Sequence, residues 1–208
     1  NRSLITSGGE KMIRSAYPEN AARITNGYLD NDLRPRETRD GEFRFFVNEA
    51  KKSGGPVLEL ASGAGRILMV LAEAGLEVFG IEASESMLAI AKKAITRLPQ
   101  KTQHRIHLVC GDMCQFVFKR KFPLIIIPFN SFWFNFRGES DDGYVQAKQC
   151  LKSIMMALER KGKFMIDSPF EGNQHWWATL AEKFGFTLEI AEPYTGLLRV
   201  HVLIGRKK

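Results

Sequence analysis

The sequence predicts an α/β fold: a doubly wound, mostly parallel seven-stranded sheet with an antiparallel edge strand. Three observations lead there. From residue 56 onward, short apolar runs alternate with segments of helical periodicity, the rhythm of βαβ units around a parallel sheet. The first apolar run closes on a glycine-rich turn, Ser62 to Gly65, that hands over directly to an amphipathic stretch. The last two apolar runs are joined by Glu192-Pro-Tyr-Thr-Gly196 with no helix between them. A link that short can only make an antiparallel pair, because a parallel pair needs a crossover.

The elements follow in order. Pro56 to Ala61 reads as a buried strand, and Ile67, Leu68, Leu71 and Ala72 form the apolar stripe of the next helix, which Gly75 ends. Val78 to Ile81 is the second strand. Ser84 is placed to cap a helix, opened by Ser84-x-x-Met87, that turns Leu88, Ala91 and Ile95 inward. Ile106 to Cys110 and Pro123 to Ile127 are the third and fourth strands, Val145 to Leu158 a helix, and Gly162 to Asp167 the fifth strand. Trp176 to Phe184 is helical up to Gly185, and Thr187 to Ala191 and Leu198 to Ile204 complete the sheet. Residues 1–55 do not share this rhythm. They are polar, with helix-like pieces at Lys11 to Tyr17 and Gly41 to Lys52, and are expected to form a cap or lid over the sheet's carboxyl edge within the same domain that residues 56–208 build.

Composition narrows the functional classes. The chain has 208 residues, 44% hydrophobic and 25% charged, which suits one globular domain and neither disorder nor a fibrous repeat. The longest apolar run, Phe122 to Phe134, is broken by Pro123, Pro128, Asn130 and Ser131, short of the roughly 18 residues a membrane helix needs. Asn1 to Gly9 carry no apolar signal core, so secretion is not expected. Cys110, Cys114 and Cys150 are odd in number with no close CxxC pair. That spacing argues against a disulfide framework or a zinc site, so no metal is expected, and it suits a reducing cytoplasm. The net charge of +7 is scattered over Arg34, Arg36 and Arg39, Lys51 and Lys52, Lys119 to Lys121, Arg160 to Lys163, and Arg206 to Lys208. No basic segment interleaves with aromatics as a stacking groove would, so nucleic acid is a weaker expectation than a small-molecule partner.

Ligand-type residues recur at strand ends. Glu59-Leu-Ala-Ser-Gly63-Ala-Gly65 sits where a strand passes into a helix, and glycines there let backbone N–H groups approach a ligand. Glu82 ends the second strand 19 residues after Gly63, a separation at which a carboxylate can accept both ribose hydroxyls of a nucleotide-like cofactor. A solvated strand-end Glu would look the same. The dinucleotide fingerprint wants a third glycine where Leu68 stands, which favours adenosine joined to an amino acid over NAD. Gly111-Asp112-Met113 offers an acceptor and an apolar side chain for an adenine ring, or simply a capped turn. Pro128-Phe-Asn-Ser-Phe132 puts polar groups at the edge where open α/β sheets bind ligands.

In this order and spacing, Val57-Leu-Glu-Leu-Ala-Ser-Gly-Ala-Gly-Arg66, Gly80-Ile-Glu-Ala-Ser-Glu-Ser-Met-Leu88, Gly111-Asp-Met113 and Pro128-Phe-Asn-Ser-Phe132 resemble the motifs of class I S-adenosylmethionine-dependent methyltransferases, which are Rossmann-like. The resemblance covers roughly residues 40 to 208. It implies that Glu59, Ala61, Ser62, Gly63 and Gly65 cradle the methionine end of S-adenosylmethionine. It further implies that Glu82, with Ala83 beside it, holds the ribose, that Met87 and Met113 flank the adenine, and that Asp112 accepts from its amino group. Pro128, Phe129 and Asn130 would border the sulfonium.

The chain departs from the family pattern at three places. Glu82 stands where Asp is commoner, Phe134 where relatives often carry His, and Arg160-Lys161-Gly162 where Pro-Gly-Gly is usual. His175, just after the fifth strand, is the best-placed candidate general base, although a surface His at a helix start reads the same way. His107 and His201 fall inside strands, and Phe132, Trp133 and Phe134 could wall an acceptor pocket or belong to the core. The expected activity is in-line methyl transfer to a small-molecule acceptor, since the short segment after the fifth strand leaves no room for a substrate domain. The alternatives are an RNA or protein methyltransferase, a cofactor-binding regulatory protein without catalysis, and an NAD oxidoreductase. Oligomeric state is not legible. Glu82→Ala is expected to weaken cofactor binding while leaving the stability of the ligand-free chain nearly unchanged.

Overall fold

The structure, a computed structural model, describes residues 36–129, 131–132, 141–168, 174–191 and 201–207. In chain order the elements are α1 (Arg36–Ser53), β1 (Val57–Leu60), α2 (Arg66–Glu73), β2 (Val78–Glu82), α3 (Glu85–Ile95), α4 (Gln100–Gln103), β3 (Ile106–Cys110), β4 (Phe122–Ile127), α5 (Asp141–Ala157), β5 (Leu158–Ser168), α6 (Gln174–Lys183), β6 (Phe186–Ala191) and β7 (His201–Lys207). The strands form one seven-stranded sheet in the order β3-β2-β1-β4-β5-β7-β6. Pairs β1–β2, β1–β4, β2–β3 and β4–β5 are parallel. Strand β7 runs antiparallel to both β5 and β6 and slots between them, so the antiparallel edge is a two-strand device with β6 outermost.

Period-two alternation along the strands sorts the core into two layers, as expected for a sheet covered on both faces. Val57, Val78, Leu124, Ile126 and Met165 face one layer with Ile67, Leu68 and Leu71 of α2. Leu58, Leu60, Ile81, Ile125, Phe164 and Ile166 face the other with Leu151 and Ile154 of α5 and Leu180 of α6. The stripe on α2 is buried throughout, Gly75 follows its C-cap at φ 94°, and the Ser84 hydroxyl accepts from Met87 N at 3.3 Å, each as expected.

Element limits move where polar residues join regular structure. Strand β7 begins at His201 and ends at Lys207, against an expected Leu198 to Ile204. Its polar end pairs Arg206 with Lys163 while the side chain reaches solvent, so the apolar pattern alone stops short. Strand β5 starts at Leu158 because the register jumps from Phe122 opposite Leu158 to Leu124 opposite Lys163, folding residues 159–162 into an irregularity beside Pro123. Proline donates nothing to a ladder, and bulges collect where it sits.

Helix α1 also differs from the expected cap over the carboxyl edge. Phe46 and Ala50 are 1% and 0% exposed and belong to the α2 core layer, so this part of the 1–55 segment covers a face of the sheet. Residues 1–35, which include Lys11 to Tyr17, lie outside the described residues. No helix among the described residues is long and apolar enough to cross a membrane.

Gly205 of β7 makes one close approach possible. A Cβ there would lie 2.1 Å from Cε1 of Phe164, so the Phe164 ring lies directly on bare β7 backbone and meets Phe186 edge-on at 4.7 Å between centroids.

Candidate functional site at the carboxyl edge of the sheet

The parallel strands deliver their last residues to one edge. After β1 the backbone turns sharply: Ala61 and Gly63 take φ values of 53° and 54°, and Gly65 one of 80°. A side chain at Gly63 would be strained there, and its Cβ would come within 3.2 Å of Met87 Cε. Ala61 pays the left-handed cost, on the order of 1 kcal/mol. The turn is held from β2, through Ser62 N donating to Ile81 O at 3.0 Å.

Glu82, at the end of β2, is the hub of this turn. One carboxylate oxygen accepts from Gly63 N at 2.8 Å and the other from Ser84 N at 2.8 Å, which ties the glycine turn to the N-cap of α3. Gly111 N donates to the Glu82 carbonyl at 3.0 Å and brings in the end of β3. Burial pushes the Glu82 carboxyl above its ordinary range, while the N–H groups of Ser84, Gly63 and Ala83 pull it partly back.

Glu59 on β1 is 3% exposed, and its Oε2 has no hydrogen-bond partner among the described residues. Burial drives its carboxyl well above the ordinary value, Arg66 opposes the rise, and the Glu42 and Glu82 carboxylates add to it. Ser62 Oγ is likewise buried without a partner among the described residues. Such atoms cost about 1–3 kcal/mol each when left unmet, and two of them border the same glycine turn. That pattern fits a ligand which brings its own donors and acceptors.

A second cluster joins α1, α2, β4 and β5. Arg66, the first residue of α2, makes a bidentate pair with Glu42 at 2.6 and 3.2 Å. Its guanidinium lies between the rings of Phe43 and Phe129, at 5.3 and 5.1 Å from their centroids. Phe129, just past β4, is a non-glycine residue at φ 61°, and its N–H donates to Asp167 Oδ2 of β5 at 2.6 Å. An aromatic residue held left-handed is an outlier that its surroundings must enforce. Here the enforcing groups are a buried carboxylate and a stacked guanidinium.

Among the residues expected at the site, Glu59, Ala61, Ser62, Gly63, Gly65, Glu82, Ala83 and Met87 come together around the glycine turn. Asp112 and Met113 follow β3, and Asp112 Oδ1 accepts from Cys114 N at 2.8 Å, capping the local turn. Met113 is 8% exposed and joins the α5 core layer. Pro128 is buried and Phe129 half-buried at the end of β4, while Asn130 lies outside the described residues, as do Trp133 and Phe134. His175 is on the first turn of α6, and its side chain is outside them too.

Sequence reasoning passed over Glu42, Asp167 and the role of Arg66. For Glu42 a signal existed: it shares a helix face with Phe46 and Ala50 at i, i+4 and i+8, and all three are at most 1% exposed. A carboxylate on a buried stripe needs a cation, and Arg66 provides it.

Residues 57–154 match the family model of a methyltransferase domain. Searched by sequence, the chain has no significant match among curated proteins. Solved structures match closely in shape. The glycopeptide N-methyltransferase MtfA superposes with a TM-score of 0.69 at 22% identity, over 83% of this chain and 96% of that one. The CcbJ methyltransferase from Streptomyces caelestis gives 0.71 at 19% identity, over 88% and 96%. A TehB-like S-adenosylmethionine-dependent methyltransferase from Corynebacterium glutamicum gives 0.61 at 22% identity, over 90% and 96%. At these identities the structural likeness defines the fold, and the domain match supplies the chemistry. Residues 57–154 therefore form a methyltransferase domain, and the chain shares the fold of methyltransferases solved with S-adenosylmethionine and S-adenosylhomocysteine bound.

Proposed function

We propose that this enzyme methylates a small-molecule acceptor by in-line displacement, holding its cofactor at the Glu82 hub. The observation that carries this reading is the pair of buried unpartnered atoms, Glu59 Oε2 and Ser62 Oγ, beside a glycine turn fastened to Glu82. Glu59 and Ser62 suit the ammonium and carboxylate of the cofactor's methionine end, and Gly63 and Gly65 leave the approach open. Glu82, moored by two backbone N–H groups, presents its remaining lone pairs to a diol. Met87 and Met113 offer apolar flanks for an adenine, and Asp112 offers its second oxygen to the amino group. When bound, S-adenosylmethionine supplies an electrophilic methyl on a sulfonium. The protein's part is to align the acceptor with that methyl and to keep water out.

Phe129, fixed by Arg66 and Asp167, is the side chain suited to wall the sulfonium side. His175 is the residue suited to take a proton from an acceptor that arrives protonated. A small acceptor is supported by the likeness in fold to MtfA, a glycopeptide N-methyltransferase, over 83% of this chain. Calorimetry with S-adenosylhomocysteine and with NAD, followed by turnover on a panel of small amines, alcohols and peptides, tests the reading. Binding of S-adenosylhomocysteine without turnover on any small acceptor, but with turnover on RNA, would move the assignment to the macromolecular class.

A further inference from the structure

At the opposite, amino-terminal edge of the sheet lies a second concavity of about 640 Å³, a size typical of small-molecule sites. Residues 159–162, the irregularity opposite Pro123, form one wall, and the end of α1 and the polar end of β7 form the others. Five cations line it (Lys52, Arg160, Lys161, Lys163 and Arg206) against three carboxylates, Glu49, Glu159 and Glu189. Their pairing is uneven. Glu49 is shared by Lys52 at 2.8 Å and by the buried Lys163, and Arg206 reaches Glu189 only at 3.6 Å and in the open. Arg160 and Lys161 are exposed and have no carboxylate within ion-pair reach among the described residues. Lys161 also sits at φ 67°, in the stretch where the family pattern has glycine. A lysine kept in a left-handed position is strain without a packing benefit, and such strain collects at sites of function. Phe45, Pro123 and Ile204 are the apolar residues of its lining.

We propose that this groove is a binding site for an oxyanion carried on an apolar body, such as an aromatic phosphomonoester. The head lies at Arg160 and Lys161, and the body lies against Phe45, Pro123 and Ile204. A concave surface with surplus positive charge concentrates anions, and the buried Lys163–Glu49 pair lines the same groove as Arg160 and Lys161. The groove opens at the edge away from the Glu82 hub, so its ligand is a second molecule, distinct from the methyl acceptor.

The test uses the full chain with phenyl phosphate as probe and inorganic phosphate as the head-only control. Phenyl phosphate is expected to raise Tm and to bind at least tenfold more tightly than inorganic phosphate. Arg160→Ala and Lys161→Gly are each expected to weaken phenyl phosphate binding tenfold or more. Lys161→Gly is also expected to raise the Tm of the ligand-free chain, by roughly 2–4 °C for relief of the left-handed strain. Three results would overturn the proposal: no binding of phenyl phosphate to the unaltered chain, binding unchanged in either variant, or phenyl and inorganic phosphate binding equally. The last would reduce the site to a surface ion cluster. A chain stabilised by Lys161→Gly with its anion binding intact would show that the lysine is not retained for a ligand.

Discussion

Glu82 and Glu59 are both strand-end carboxylates buried to within a few per cent, yet they ask different things of the fold. Glu82 satisfies Gly63 N and Ser84 N before any ligand arrives. Glu82→Ala should therefore weaken S-adenosylhomocysteine binding by about 1.5–3 kcal/mol, the scale of lost charge-assisted bonds, and also destabilise the ligand-free chain by about 1–3 kcal/mol through two unmet donors. Calorimetry and thermal melts measure the two losses separately. This corrects the expectation that the ligand-free chain would be indifferent. The spacing from Gly63 pointed to Glu82 as a binder, but no pattern in the residues shows that its oxygens also close the turn. Glu59 gains nothing comparable. Its raised carboxyl means that the folded chain holds this proton to higher pH than the unfolded chain does, so its contribution is fully present below the ordinary carboxylate range. That stability is lost as pH rises from there through the raised value. Glu59→Gln should flatten that fall, giving a higher ligand-free Tm than the unaltered chain at neutral pH and no gain in acid. A Tm advantage that grows on acidification would contradict the assignment.

Among elements, α1 is the one whose position the residues conceal best. Its mean hydropathy is low and charges are spread along it, so only the spacing of Glu42, Phe46 and Ala50 betrays a buried face. By contrast α2, with its apolar stripe closed by Gly75, and the strands β1, β2 and β4 were fully legible, because each is buried on one or both faces and bounded by a turn residue. Docking of α1 onto the site runs through Glu42 and Arg66. Arg66→Met should cost about 3–5 kcal/mol, since it strands a carboxylate that is 0% exposed. Glu42→Leu combined with Arg66→Met should recover most of that loss, because an apolar pair of similar volume removes the buried charge. Denaturant unfolding of the two single variants and the double variant forms the cycle. A double variant as unstable as the sum of the singles would mean that the two residues do not depend on each other. Phe129 loses its stacked guanidinium in either case, so a double variant that regains stability without regaining S-adenosylhomocysteine affinity or turnover would separate the scaffold role of Arg66 from its role at the site.

At the scale of the whole molecule the seven-stranded order follows from βαβ rhythm and one short link, but the place of β7 does not. Alternation cannot say whether the last strand lies outside β6 or between β6 and β5. Gly205 decides it physically, since only bare backbone fits beneath the Phe164 ring. Gly205→Ala should cost about 3 kcal/mol, the upper end for overpacking, with Phe164→Leu on the same chain restoring part of it. Hydrogen exchange should then show β6 losing protection together with β7, because β6 pairs with no other strand of the sheet. The same arrangement has a consequence in time. A chain emerging from the ribosome presents β6 before β7 exists, so β6 waits with nothing to pair with, and β5 keeps a bare row of donors and acceptors along its outer side. That flank, carrying Phe164 and Ile166, is the kind of open edge another nascent chain can join. The interval between the synthesis of β5 and the arrival of β7 is when this protein is most exposed to misassociation.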